Sequence, residues 1–137
     1  MLKNLLQNFL LLAEREKRKQ GYIEQKKSTD LDYTLLFRDL LDKNYINLKN
    51  VSDYAQMICI SEKRLVQATS AVLGKSPKEV INDRIILEAK RILAYTNLSI
   101  KEIGQELGFK DPAYFVRYFK KNVTLTPVEF RKIYLNL

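Results

Sequence analysis

The same helix-start signal occurs twice in this chain, and it constrains the fold more than any other feature. Residues 76–79 (SPKE) and 126–129 (TPVE) each place a hydroxyl before a proline and a carboxylate three residues after the hydroxyl. A hydroxyl there accepts from a free amide of the first helical turn, and proline suits the first helical position because an amide there would lack a partner. Residues 99–102 (SIKE) form a capping box. Asn50, with an acid three residues later, is a further candidate cap.

These starts and the spacing of apolar residues predict a chain of helices. The expected ranges are 51–58, 62–72, 77–95, 100–107, 112–122 and 127–134. Four glycines and three prolines in 137 residues are too few for the many turns of a β sandwich or barrel. The predicted fold class is therefore all-α.

The first 50 residues predict two further helices. An amphipathic helix over 2–19 ends in charged residues, the polar segment 21–29 is expected to break it, and a second helix is expected over about 30–44. The apolar face of this second helix is assigned to Leu31, Leu35, Leu36, Leu40 and Leu41. We divide the chain into residues 1–30, an amphipathic helix and linker, and residues 31–137, the main domain.

The main domain contains a weak internal repeat. Residues 51–60 (VSDYAQMICI) align with 100–109 (IKEIGQELGF) at an offset of 49, and after the extra residue Lys110 the offset is 50. Few residues are identical, whereas the caps, small residues and apolar positions agree. We therefore predict two copies of one helical unit, joined by the long helix 77–95.

Each copy has the pattern of a helix-turn-helix unit. In the second copy Gly104 would allow two helices to cross closely, Gly108 suits a left-handed turn, and Phe109 would fill the corner. Ala55 and Cys59 take the corresponding places in the first copy. We interpret Cys59 as a packed turn residue rather than a redox centre.

The second helix of each unit is expected to present polar side chains outward. In the second copy Phe115, Tyr118 and Phe119 share the core-facing side. Arginine and lysine can bond guanine, glutamine can bond adenine, and small residues let a helix enter a major groove roughly 12 Å wide. The predicted DNA-contacting residues are Lys63, Arg64, Val66, Gln67, Pro112, Ala113, Val116, Arg117, Lys120 and Lys121, the last two suited to phosphates. A solvated helix face is the alternative interpretation.

The joining helix fits the dimensions of duplex DNA. About 19 residues span roughly 28 Å, close to one turn of the duplex at about 34 Å. A monomer could therefore place both second helices in successive major grooves of one face. A stiff joining helix would require the DNA to bend.

Charge and composition narrow the function classes. A net charge of +8 and a pI near 9.5 favour a polyanionic partner, nucleic acid first and an anionic membrane surface second. The absence of histidine and the single cysteine exclude His-based catalysis and zinc sites of the His or multi-Cys type. We predict no catalytic residue, no cofactor and no metal. The single cysteine also predicts a reducing location, the cytoplasm. Gln7 and Asn8 interrupt the apolar start, which is too short for a membrane span.

Three segments resemble the DNA-binding region of AraC/XylS-type transcription regulators. Residues 102–131 (EIGQELGFKDPAYFVRYFKKNVTLTPVEFR) resemble the second helix-turn-helix signature of that family, residues 84–93 its connecting helix and residues 51–65 its first unit. The resemblance covers about 45–134. It implies a seven-helix bundle with two helix-turn-helix subdomains, binding to promoter DNA, and base contacts from the second helices. The positions that match are Lys63, Arg64, Val66, Gln67, Pro112, Ala113, Val116 and Arg117.

The sequence departs from the family pattern at several positions. The family usually has arginine where Gln67 stands, and aromatic and basic residues at Thr69 and Ser70, so the first unit is expected to bind more weakly or to read other bases. Thr124 replaces a usual glycine and Gly104 a usual alanine. Residues 1–20 resemble the helix that ends the sensory half of such regulators and often mediates dimers. We therefore expect a fragment of a longer regulator, with a short natural regulator as the alternative.

Three hypotheses about function follow. The first is a sequence-specific DNA-binding regulator, an activator that recruits RNA polymerase. The second is a helical protein-interaction or dimerisation module without specific DNA readout. The third is a membrane-surface binder that uses residues 1–19. Steep weakening of DNA binding with salt would distinguish the first from the second, and binding to liposomes would test the third.

Overall fold

A computed structural model describes the backbone of residues 2–135 and the side chains of residues 15 and 17–135. Within this range all regular secondary structure is helical, which confirms the all-α prediction. Its seven helices are α1 (Leu2–Asn44), α2 (Val51–Ile58), α3 (Glu62–Leu73), α4 (Pro77–Tyr95), α5 (Ile100–Glu106), α6 (Pro112–Val123) and α7 (Pro127–Leu135). The bounds of α2 to α7 agree with the predicted ranges to within one residue.

Hydroxyl caps begin four of these helices, three of them at predicted positions. The hydroxyl oxygens of Ser76, Ser99 and Thr126 accept from the amides three residues on, at 3.2, 3.1 and 3.1 Å. Ser61 caps α3 in the same way, at 3.0 Å from the amide of Arg64. Asn50 occupies the N-cap position of α2, as expected, although its side chain makes no capping hydrogen bond.

Helix α1 runs without interruption through the segment where we predicted a break. Residues 21–29 are helical, and the expected polar linker is therefore wrong. A single glycine in a helix costs only about 1 kcal/mol relative to alanine, and the glutamine, glutamate and lysine residues around Gly21 are good helix formers. The hydroxyl of Thr29 donates to the carbonyl of Gln25 inside the helix, at 2.8 Å. The side chains predicted for the amphipathic face of 2–13 lie outside the described residues.

The buried face of α1 is not the predicted leucine face. Leu31, Leu35 and Leu36 are 44%, 55% and 45% exposed, and Leu40 is half-buried, so of that set only Leu41 is fully buried. The side chains that pack against the rest of the protein are those of Asp30, Thr34, Phe37 and Leu41. Asp30 and Thr34 are polar, and each is paired inside the protein, Asp30 with Arg64 and Thr34 with the carbonyl of Asp30. A prediction based on apolar residues alone therefore chose the wrong face of the helix.

Helix α4 passes through the core, as predicted. Ile81, Ile85, Ala89, Ile92 and Leu93 are all buried, and they recur at the spacing of one helical face. Both helix-turn-helix units place their apolar residues in the same buried cluster as this row. The position of each unit relative to the other therefore depends on α4.

The internal repeat is visible in the backbone of the two turns. Cys59 in the first unit and Gly108 in the second both adopt the left-handed conformation, with φ of 64° and 81°. The amide of the next residue then donates to a carbonyl five residues back, at 3.0 Å in the first turn and 2.8 Å in the second. The predicted equivalence of the two turns is confirmed.

Gly104 and Gly108 each allow a close approach that a side chain would oppose. A Cβ on Gly104 would lie 3.3 Å from the Cβ of Phe115, where the two helices of the unit cross. A Cβ on Gly108 would lie 2.1 Å from the carbonyl oxygen of Ile46, in the loop between α1 and α2. The turn of the second unit therefore contacts the first part of the fold directly.

The two second helices also end alike. Gly74 after α3 and Thr124 after α6 are both left-handed, with φ of 67° and 72°. Each amide donates to the carbonyl four residues back, at 3.0 and 2.8 Å. A β-branched residue rarely adopts this conformation, so Thr124 holds local strain that Gly74 does not.

Replacing Thr124 with glycine should therefore stabilise the protein. A left-handed non-glycine residue costs roughly 1–2 kcal/mol, partly offset by the greater freedom of glycine in the unfolded chain. We expect Thr124→Gly to raise the free energy of unfolding by about 0.5–1 kcal/mol and Gly74→Thr to lower it by at least as much. Urea unfolding followed by circular dichroism measures both. A Thr124→Gly protein no more stable than the parent would contradict this account of the turn.

Candidate nucleic-acid interface

Helix α6 buries one side and leaves the other open. Asp111 caps the helix, accepting from the amide of Ala113 at 3.0 Å. Phe115 and Phe119 are fully buried and Tyr118 is half-buried, which confirms the predicted core-facing side. The rings of Phe115 and Tyr118 pack with Phe109, which is buried at the corner of the turn as expected.

The outward side of α6 brings the predicted contact residues together. Ala113, Arg117, Lys120 and Lys121 are exposed, and Pro112 and Val116 are half-buried at its edge. Within the described part of the chain, no carboxylate lies within 4.0 Å of Arg117, Lys120 or Lys121. Their charges are therefore available to a partner.

Helix α3 presents a corresponding face with fewer charges. Its buried side consists of Leu65, Ala68 and Thr69. Lys63, Val66 and Gln67 are exposed, as predicted. The two second helices thus resemble each other in which positions they bury, while the face of α6 carries more positive charge.

Arg64 is the predicted contact residue that the structure does not bring to this face. Its Nη1 lies 2.6 Å from Oδ1 of Asp30 on α1, and neither atom has another hydrogen-bond partner among the described residues. The guanidinium also stacks on the ring of Tyr33, at 5.1 Å from its centroid. In this structure Arg64 joins α3 to α1.

A cleft of about 220 Å³ opens between α4 and α6. One wall is formed by one face of α6 and the other by the first two turns of α4. The lining residues are Lys78, Asn82, Tyr114, Arg117, Tyr118, Lys121 and Asn122. Sequence reasoning missed five of them. Their spacing on each helix is regular, but nothing in the sequence indicates that residue 78 approaches residue 121.

The interior of this cleft is ordered by hydrogen bonds. The hydroxyl of Tyr118 donates to Oδ1 of Asn82 at 2.6 Å, and the side-chain nitrogen of Asn122 donates to the carbonyl of Tyr118 at 2.8 Å. Burial, with smaller contributions from Tyr114 and Asp83, raises the pKa of Tyr118. Its hydroxyl therefore keeps its proton and holds Asn82 in place.

A second cavity, of about 350 Å³, lies between α1, the end of α3 and α4. Four of its five charged lining residues are paired: Lys75 with Asp83 at 2.7 Å, and Arg84 with Asp42 at 2.8 Å. With Arg38 the lining carries a net charge of +1, less than the three positive charges without a lining acid in the α4–α6 cleft. Among the helices that the structure describes, none has the length and apolar content needed to cross a membrane.

Comparison with known proteins agrees with this geometry. The family model described as a helix-turn-helix domain matches residues 54–133, more than half of the chain. The chain belongs to the AraC/XylS family of transcription regulators. The uncharacterized HTH-type transcriptional regulator YfiF of Bacillus subtilis is 34% identical over 134 residues. The arabinose operon regulatory protein of Escherichia coli is 36% identical over 92 residues.

These matches cover only part of the relatives. They include 98% and 67% of this chain but 41% and 30% of the two regulators, so the chain spans less than half the length of either. Among solved structures, the DNA-binding domain of AdpA, a global transcriptional factor crystallised with a target DNA, superposes with a TM-score of 0.62 at 18% identity. That match covers 74% of this chain and 94% of the AdpA domain. The fold is thus that of an AraC-type DNA-binding domain with two helix-turn-helix units.

The Asp30–Arg64 pair should contribute to stability because it is shielded from water. Asp30→Asn keeps the shape but removes the charge opposite Arg64, so we expect the free energy of unfolding to fall by about 1–3 kcal/mol. Asp39→Asn is the matched control, since it breaks an exposed pair with Lys43 on the same helix. That change should cost less than about 0.5 kcal/mol. Equal effects of the two substitutions in urea unfolding would argue against a structural role for Arg64.

Proposed function

We propose that this chain recognises specific duplex DNA sequences, with α3 and α6 as the two recognition helices in successive major grooves. The observation that carries this proposal is the paired arrangement of these helices. Each buries its apolar side in the cluster around α4 and leaves polar side chains outward. The target DNA bound to the AdpA domain, a neighbour in fold, supports the same partner for this chain.

The outward side chains suggest distinct roles. Arg117 is suited to bond a guanine through two hydrogen bonds, and Gln67 to bond an adenine. A base edge or a phosphate can be contacted by Lys63, Lys120 and Lys121. Small or half-buried side chains leave room for the helices to enter the groove, namely those of Val66, Pro112, Ala113 and Val116. Arg64 is left out of this set because Asp30 holds its guanidinium.

Membership of the family suggests a cellular role and further protein partners for this chain. We propose that the protein acts in the cytoplasm as a non-enzymatic regulator of transcription and that it recruits RNA polymerase. We also propose that residues 1–20 contribute to a homodimer and that residues 1–30 serve as a segment separate in function from the double helix-turn-helix domain. Residues 17–28 of α1 have exposed side chains, which leaves this part of the helix accessible to a second chain.

Arg117→Ala should weaken binding to a duplex selected from a random pool by about 1–3 kcal/mol and should relax the preference at one base pair. Lys43→Ala is the control of equal charge change, because the ammonium of Lys43 is already paired with Asp39 at 3.0 Å. Gel-shift titration of both variants against the selected duplex and single-base-pair variants of it measures affinity and preference together.

The outcomes separate the hypotheses. If Arg117→Ala retains both affinity and base preference, Arg117 does not read a base. If the parent protein binds the selected and a scrambled duplex equally, the chain lacks specific readout, and the protein-interaction hypothesis gains. Specific binding should weaken steeply between about 50 and 200 mM salt, as expected when several phosphates are neutralised.

A further inference from the structure

The cleft between α4 and α6 lies where the joining helix meets the second helix-turn-helix unit. Only three residues separate α3 from α4, so the wall that carries Lys78 and Asn82 follows closely after the first recognition helix. The opposite wall belongs to α6, the second recognition helix. A duplex that accommodates both recognition helices must pass its backbone across the space between them.

The α6 wall is a single helical face. Residues 114, 117, 118, 121 and 122 follow the i, i+3, i+4, i+7, i+8 pattern, which places all five on one side. On the α4 wall, Lys78 and Asn82 are four residues apart and likewise share a side. Arg117 stands at the border between this wall and the outward face of α6, so the cleft is continuous with the face that meets the major groove.

The chemistry of the cleft suits an anion with several oxygen acceptors. Lys78, Arg117 and Lys121 supply three positive charges, and none of the residues that line the cleft is acidic. Two acids are adjacent in sequence to lining residues: Asp83 is paired with Lys75 at 2.7 Å, and Glu79 is exposed and does not line the cleft. Because Oδ1 of Asn82 accepts from Tyr118, the amide nitrogen of Asn82 remains able to donate.

We propose that this cleft binds a phosphodiester group of the DNA backbone between the two major grooves, so that the joining helix α4 itself contacts the duplex through Lys78 and Asn82. The inference rests on the proposed function and adds a contact that neither recognition helix provides. A phosphate held between α4 and α6 would fix the second unit and the joining helix on the duplex together, because it touches both.

Lys78→Ala is the direct test. Removing one phosphate contact should lower affinity roughly three- to ten-fold for specific and scrambled duplexes alike and reduce the slope of log K against log salt by about 0.9. Arg91→Ala is the matched control, since it removes one exposed charge from the opposite side of the same helix, where Glu88 already pairs with Arg91. Its salt slope should stay unchanged. Circular dichroism checks that both variants fold.

Asn82→Asp is a second test that keeps the interior of the cleft intact. Aspartate retains the oxygen that accepts from Tyr118 but places a negative charge beside the phosphate, so affinity should fall about ten-fold or more. Unchanged binding by both Lys78→Ala and Asn82→Asp would overturn the proposal, because both side chains line the cleft.

DNA in which single phosphates are replaced by uncharged groups identifies the phosphate that the cleft binds. Duplexes that carry a single methylphosphonate at successive positions between the two half-sites should include one that weakens binding of the parent protein more than binding of Lys78→Ala, in which only Arg117 and Lys121 of the cleft cations remain. If every position affects both proteins equally, Lys78 contacts no phosphate. If the parent protein shows no salt-dependent binding to any duplex, the proposed function itself fails. If the parent binds DNA and Lys78→Ala shows the same slope of log K against log salt, only the proposal about the cleft fails.

Discussion

The buried row of aliphatic side chains along α4 is the constraint on which the rest of this structure depends. Both helix-turn-helix units complete their cores against it, so neither can move without exposing apolar surface. A helix of 19 residues is also a rigid spacer of fixed length. The separation of the recognition helices is therefore a property of packing, and a duplex that binds both must adapt to it. DNA sequences that bend easily at the right point would be favoured for this reason.

Ion pairing divides the charged surface into two kinds. At the junction of α1 and α4 and on the outer side of α4, two arginines are paired with carboxylates, Arg84 with Asp42 and Arg91 with Glu88. On α6 and at the start of α4, Lys78, Arg117 and Lys121 have no such partner within the part of the chain that the structure describes. Exposed lysines of α1 also contribute to the net charge of the chain, whereas Lys78, Arg117 and Lys121 come together at one cleft.

Local signals in the sequence were sufficient for most of the fold. Hydroxyl caps and prolines set the helix starts because they act within four residues, and the repeat identified both left-handed turns. The continuous α1 was missed because polar residues between 21 and 29 suit a helix as well as a loop. Its buried face was misassigned because polar side chains can be buried only when they have partners. Thr34 donates to the carbonyl of Asp30, and the carboxylate of Asp30 pairs with Arg64, which is distant in sequence. The α4–α6 cleft was invisible for the same reason, since it joins residues about 40 positions apart.

The attachment of α1 to α3 has a mechanical consequence. Helix α1 is 43 residues long, and its buried carboxylate is bound to the arginine of the first recognition helix. A rotation or tilt imposed on the far end of such a rod would act with a long lever arm on α3, while α6 is held at a distance by α4. The first helix-turn-helix unit would then move more than the second. Binding to a DNA site that is contacted mainly by one unit would therefore depend on the position of α1 differently from binding to a site that requires both units.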